Sequence, residues 1–161
     1  MKYHIEKNTI QETLVIPLYA RALCTRRFPH LFSDPLSVEL LEQLDYDFSA
    51  LERTSGSLMQ PFGAMEAAMR QSDLAWEVRD YLADHPQAAV VNLGCGLDQT
   101  GRSCDNGQCR LYNIDLPDVM AVREALLPAG EREKNLTADL NDLSWFDAID
   151  TPLEDGAVFF A

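Results

Sequence analysis

The chain has 161 residues, 47% of them hydrophobic, with 26 acids against 13 bases, a net charge of −13 and a pI of about 4.4. That is one domain's length with apolar content enough for a core, which excludes a chain disordered throughout. The acidic balance disfavours nucleic acid and anionic membrane surfaces as partners.

No stretch reaches the roughly eighteen apolar residues of a membrane span, and the opening MKYHIEKNTIQE has no apolar signal region, which predicts a cytoplasmic protein. The four cysteines, Cys24, Cys95, Cys104 and Cys109, lack CxxC spacing. Free thiols are expected, with neither a zinc site nor a disulfide framework.

The first half reads as helical. Thr9 followed by Glu12 makes a capping-box pattern, and Ile10, Leu14, Leu18 and Ala22 recur at helical spacing, so a first helix follows, bent at Pro17. Tyr19 and Arg21 on it either face a substrate or belong to a packed amphipathic helix, and the packed reading is favoured. Asp34 then Pro35 is an N-cap followed by a first-turn proline, opening a second helix with Val38, Leu41 and Leu44 on one face. TSGS at 54–57 is a loop, after which Leu58, Phe62, Met65 and Met69 continue at helical spacing. Ser72 is expected to cap a further helix through Leu82, ended by His85 and Pro86. His4, His30 and His85 stand alone without ligand spacing.

The second half alternates. Ala89, Val90, Val91 and Leu93 form a short apolar run typical of a buried parallel strand, and Gly94 and Gly96 end it abruptly. Lacking Cβ atoms, these glycines allow unusual dihedrals and a ligand close against the backbone. Leu111 to Ile114 is a second strand, ending at Asp115. Pro117 opens a helix carrying Val119, Val122 and Leu126 until Pro128-Ala129-Gly130 stops it. Leu136 to Ala138 is a third strand ending at Asp139, Trp145, Phe146 and Ile149 suggest a short helix, and Ala157 to Ala161 is a fourth strand. Right-handed crossovers give the strand order 3-2-1-4. The fold class is therefore α/β, an incomplete Rossmann-like parallel sheet over 87–161 preceded by a helical region over 1–86.

In such a sheet the carboxyl ends of neighbouring strands face one crevice, so the glycine turn and Asp115 share one ligand. A carboxylate there suits a ribose, because it accepts from two vicinal hydroxyls. The dinucleotide fingerprint GxGxxG needs a third glycine where this chain has Gln99, which argues against NAD and against a pyrophosphate. S-adenosylmethionine, an adenosine with a small charged amino acid and no phosphate, fits the pattern. The acids Asp139, Asp142, Asp147, Asp150, Glu154 and Asp155 follow no EF-hand spacing and read as a solvated face.

VVNLGCGLD, then LYNIDLPDV, then ADLNDLSWFD resembles the class I S-adenosylmethionine-dependent methyltransferases of the leucine carboxyl methyltransferase and polyketide O-methyltransferase group, over roughly Arg70 to Ala161. The resemblance implies that the helical half is a lid, and that the cofactor-binding residues are Arg70, Asn92, Gly94, Cys95, Gly96, Asp115, Leu116, Asp139 and Leu140. It gives Asp115 the ribose, Asp139 and Leu140 the adenine, and Arg70 the donor's carboxylate, although the family usually has Arg-Thr where this chain has Arg70-Gln71. Asp98 is expected to hold the glycine loop by backbone hydrogen bonds.

The family sheet continues for three more strands, whereas GAVFFA would leave an apolar edge. The chain is therefore expected to be a fragment of a longer protein, or else to be completed by a partner chain, in a homo-oligomer for instance. The implied function is O-methylation of a small-molecule carboxylate or hydroxyl. A carboxylate needs no general base; a hydroxyl does, and no residue is assigned to that role or to any other catalytic one. The alternative function is a catalytically silent truncated methyltransferase fold that binds a nucleoside or a partner chain.

Overall fold

The computed structural model describes residues 2–53 and 59–161. The TSGS loop and Leu58 lie outside the described residues. The chain divides into two compact units, Met1–Ser72 and Asp73–Ala161.

In the first unit, strand β1 (Tyr3–His4) precedes a 3-10 turn (Ile10–Leu14) that runs into helix α1 (Val15–Arg27). Then come α2 (Pro35–Gln43), β2 (Leu44–Asp45), α3 (Ser49–Arg53) and the start of α4 (Met59–Asp84). β1 and β2 pair in parallel, Tyr3 opposite Leu44 and His4 opposite Asp45. This half is thus not wholly helical. Buried Ile5, Leu14, Val15, Leu18, Ala22, Leu40 and Leu44 supply its core.

Asp34 caps α2 as expected, its Oδ1 accepting from the Ser37 amide at 3.0 Å, with Pro35 in the first turn. The Thr9 box forms differently. The Thr9 hydroxyl turns back to donate to the Glu6 carbonyl at 2.7 Å, while Glu12 accepts from the Asn8 amide at 2.9 Å, so the reciprocal bond lands one residue early. Arg21 belongs to the packed side of its helix. It is buried, with Nε donating to Asp34 Oδ2 at 3.1 Å.

Ser72 caps nothing, because α4 runs unbroken from Met59 to Asp84. Its hydroxyl donates to the Ala68 carbonyl at 3.1 Å, four residues back, which lets a serine sit inside a helix.

The second unit holds a four-stranded parallel sheet of β3 (Ala89–Leu93), β4 (Arg110–Asp115), β5 (Glu133–Thr137) and β6 (Ala157–Phe160). The order is β5-β4-β3-β6, the 3-2-1-4 arrangement expected from the sequence. Leu93 is opposite Ile114, and Asp115 is opposite Thr137, so the strand ends align along one edge. Short α5 (Thr100–Ser103) follows the glycine turn, and α6 (Pro117–Leu126) follows β4.

Alternation along β3 explains how both faces of the sheet are buried. Val90 joins Val78, Leu82, Leu111 and Phe160 on one side. Ala89 and Val91 join Tyr112 and Ile114 on the other, where Leu136, Trp145 and Ile149 pack against them. β5 begins at Glu133, three residues before the expected start, because a buried carboxylate at its first position is satisfied by hydrogen bonds. The expected helix near Trp145 is a 3-10 segment, Leu143–Ala148. Among the described residues no helix is long and apolar enough to cross a membrane.

Candidate functional site

The site is built where β3 and β4 end. Gly94 and Gly96 take left-handed backbones, φ +63° and +47°, which only glycine adopts at little cost. A Cβ placed on Gly94 would meet no atom within 4 Å, so the space above it is open. The Cys95 amide still donates to the Ile114 carbonyl at 3.1 Å, extending the sheet ladder into the turn and holding the two glycines beside the end of β4.

Asp115 closes the other side. Its Oδ2 accepts from the Gly96 amide at 2.8 Å and its Oδ1 from the Leu116 amide at 2.8 Å. Each oxygen has spent one acceptor position on backbone and keeps another for a ligand. Leu116 holds the N-cap position of α6, without a side-chain bond.

Asp98 does what the sequence predicts of it. Its Oδ2 accepts from the Thr100 amide at 2.9 Å and from Asn92 Nδ2 at 3.0 Å, and its Oδ1 accepts from the Thr100 hydroxyl at 2.9 Å. Asn92 is thereby committed to the loop from inside β3, where it is buried. Cys95 is likewise turned inward, its Sγ 3.8 Å from Met120 Sδ, and burial above all pushes its thiol up to about 12.

Asp139 and Leu140 lie just past β5, and both are exposed. The Asp139 carboxylate accepts from the Asn141 amide at 2.9 Å and from Asn141 Nδ2 at 2.8 Å. The Asn141 amide holds it below the usual aspartate range. The structure thus brings Asn92, Gly94, Cys95, Gly96, Asp115 and Leu116 together, with Asp139 and Leu140 past the next strand. Arg70 sits exposed on α4 in the first unit. Tyr19 stacks on Phe48 with ring centroids 5.9 Å apart, as part of that unit's own packing.

Two charged residues escape the sequence reading. Arg123 on α6 is fully buried, and its Nη1 donates to the Gly96 carbonyl at 2.8 Å and the Asp98 carbonyl at 2.7 Å. Glu133, also buried, accepts from Arg123 Nη2 at 3.3 Å. The available signal is register: Arg123 lies four residues after Val119 and three after Met120, on the apolar stripe of its helix.

The model of one known family, leucine carboxyl methyltransferase, matches residues 15–153. The chain belongs to the leucine carboxyl methyltransferase family. It is also 33% identical over 141 residues to the tetracenomycin polyketide synthesis O-methyltransferase TcmP of Streptomyces glaucescens, an alignment covering 87% of this chain and 50% of TcmP. The chain therefore spans about half the length of that relative. In this family member the glycine turn and Asp115 fall within the matched segment.

Proposed function

We propose that this chain carries the donor site of an S-adenosylmethionine-dependent O-methyltransferase acting on a small-molecule carboxylate or hydroxyl. One observation carries the reading: an open, left-handed Gly94 beside a carboxylate, Asp115, that retains acceptor capacity at the neighbouring strand end. An adenosyl group needs a close approach to backbone and an acceptor for its two ribose hydroxyls, and these residues fit both needs. Gln99 stands where a pyrophosphate-binding turn needs its third glycine, which favours a donor without phosphate over a dinucleotide. TcmP, named as an O-methyltransferase, supports the oxygen acceptor.

The bound donor supplies a methyl carbon made electrophilic by its sulfonium. The work left to the chain is positioning and exclusion of water, since in-line displacement depends on holding two atoms in line. Asp115 orients the ribose, Gly94 and Gly96 admit it, and Asp139 with Leu140 meets the base. A carboxylate acceptor arrives ionised and needs no proton removed.

Titration calorimetry with S-adenosylhomocysteine and with NAD tests the reading. Saturable binding of the first without the second is the expected result. Binding of NAD alone, or of neither, overturns it.

A further inference from the structure

Among the described residues the largest fully buried side chain is a cation. Arg123 is 0% exposed, and its guanidinium divides between two tasks. One nitrogen, Nη1, holds the carbonyls of Gly96 and Asp98 at 2.8 and 2.7 Å; the other, Nη2, donates to Glu133 Oε1 at 3.3 Å. Its Nε has no hydrogen-bond partner among the described residues.

Glu133 is itself crowded. Its Oε2 accepts from Arg102 Nε at 3.0 Å, from Arg102 Nη2, and from the Gly130 amide at 3.0 Å, while its Oε1 also accepts from Asn113 Nδ2 at 2.6 Å. One carboxylate thus anchors a guanidinium from α5, just after the glycine turn, and another from α6, beneath it.

Stability alone is a poor reason for this arrangement. A buried ion pair exchanged for apolar side chains of similar volume is often neutral or stabilising, and an unpartnered buried N–H adds a further cost. What an apolar side chain cannot do is hold two loop carbonyls. The peptide groups of Gly96 are gripped from both sides, the amide by Asp115 and the carbonyl by Arg123. That double grip fixes the left-handed Gly96 backbone.

We propose that Arg123 and Glu133 are positioning residues for the donor site: Arg123 sets the conformation of the Gly96–Asp98 segment, Glu133 sets Arg123, and the pair controls donor affinity without touching the donor. The affinity half of this inference rests on the proposed function; the loop half stands on the geometry alone.

The test uses the whole chain carrying Arg123→Met, Arg123→Lys or Glu133→Gln. Methionine keeps apolar bulk without donors; lysine keeps the charge but not the fork that reaches two carbonyls and a carboxylate together. Three readouts are needed: amide hydrogen exchange, S-adenosylhomocysteine affinity and thermal unfolding. In Arg123→Met the Gly96, Asp98 and Thr100 amides exchange at least tenfold faster, while Val90 and Val91 in β3 are unchanged. Donor affinity falls on the order of tenfold to a hundredfold, the range expected for losing hydrogen bonds to a charged group. Arg123→Lys and Glu133→Gln fall between wild type and Arg123→Met.

Unchanged loop exchange in all three variants overturns the positioning role. Loosened loop amides with unchanged affinity overturn its link to the donor. Should the methionine variant fail to fold, the lysine and glutamine variants decide by the same readouts. A wild-type chain that binds no S-adenosylhomocysteine overturns the donor reading and the affinity half with it, and exchange in the unliganded chain still decides the loop half.

Discussion

The amide of Gly96 donates to Asp115 Oδ2 at 2.8 Å. A turn at the end of one strand is thereby tied to a side chain at the end of the next, and the carboxylate cannot leave without releasing the loop. Asp115→Ala removes both the acceptor for Gly96 and the acceptor for a ribose; Asp115→Asn keeps one carbonyl oxygen and separates the two roles. Calorimetry should find S-adenosylhomocysteine binding abolished in the alanine variant and weakened about tenfold to a hundredfold in the asparagine variant, the latter with loop amide exchange close to wild type. Wild-type affinity in Asp115→Asn would count against ribose recognition by this carboxylate.

Gly94→Ala probes the open space. The new methyl meets no protein atom within 4 Å, so the stability cost is that of a left-handed alanine, about 1–2 kcal/mol. The same methyl stands where the donor is proposed to lie. Affinity should therefore drop at least tenfold while the melting temperature drops only a few degrees, and the contrast between the two measurements is the check.

Gly156→Ala behaves in the opposite way. At φ +77° its added Cβ would lie 2.5 Å from the Tyr81 hydroxyl and 3.5 Å from Tyr81 Cζ. Tyr81 is in turn stacked on His85, ring centroids 4.6 Å apart, and cannot simply step aside. Thermal unfolding should register a loss of about 2–3 kcal/mol, part strain and part clash. In a Tyr81→Phe background the same change should cost less, because the atom in the way is gone.

Acid should weaken the second unit through Glu133. Burial raises its pKa, but the Gly130 amide, Arg102 and Asn113 together outweigh that and hold it below the usual glutamate range. A carboxylate with a depressed folded pKa contributes its stability above the unfolded value, near 4.3, and loses it as pH falls through the folded one. Unfolding midpoints followed from pH 6 downward should decline less steeply in Glu133→Gln than in wild type below the ordinary glutamate range.

All four cysteines are free and buried, and burial raises each of their thiols above the usual range. The thiolate is the reactive form, so a thiol reagent at pH 8 should label the native chain slowly and take up four equivalents on denaturation. Fast labelling at Cys95 in the native chain would mean that the glycine turn opens readily.

The sheet was readable because its strands are short apolar runs and its turn is made of glycines, and these signals are local. The strand order and the nearness of Gly96 to Asp115 follow from them. Glu133, Lys134 and Asn135 hide the start of β5, since a polar run gives no strand signal and only the fold supplies partners for the buried carboxylate. Ser72 misleads for a different reason: serine favours helix starts, yet a hydroxyl bonded to Ala68 is at home inside α4. Arg123 and Glu133 were invisible as a pair because ten residues and a turn separate them, and a lone charge on a helix reads as solvent-facing.

Two guanidiniums drawing on one carboxylate have a consequence for anyone borrowing this turn. Transplanting GCGLD into another sheet would carry the glycines and Asp98 but not their footing, which comes from a helix and a strand further along the chain. The portable unit is the pentapeptide together with Asp115, Arg102, Arg123 and Glu133, and grafts that omit these four should yield a turn of the right composition that wanders.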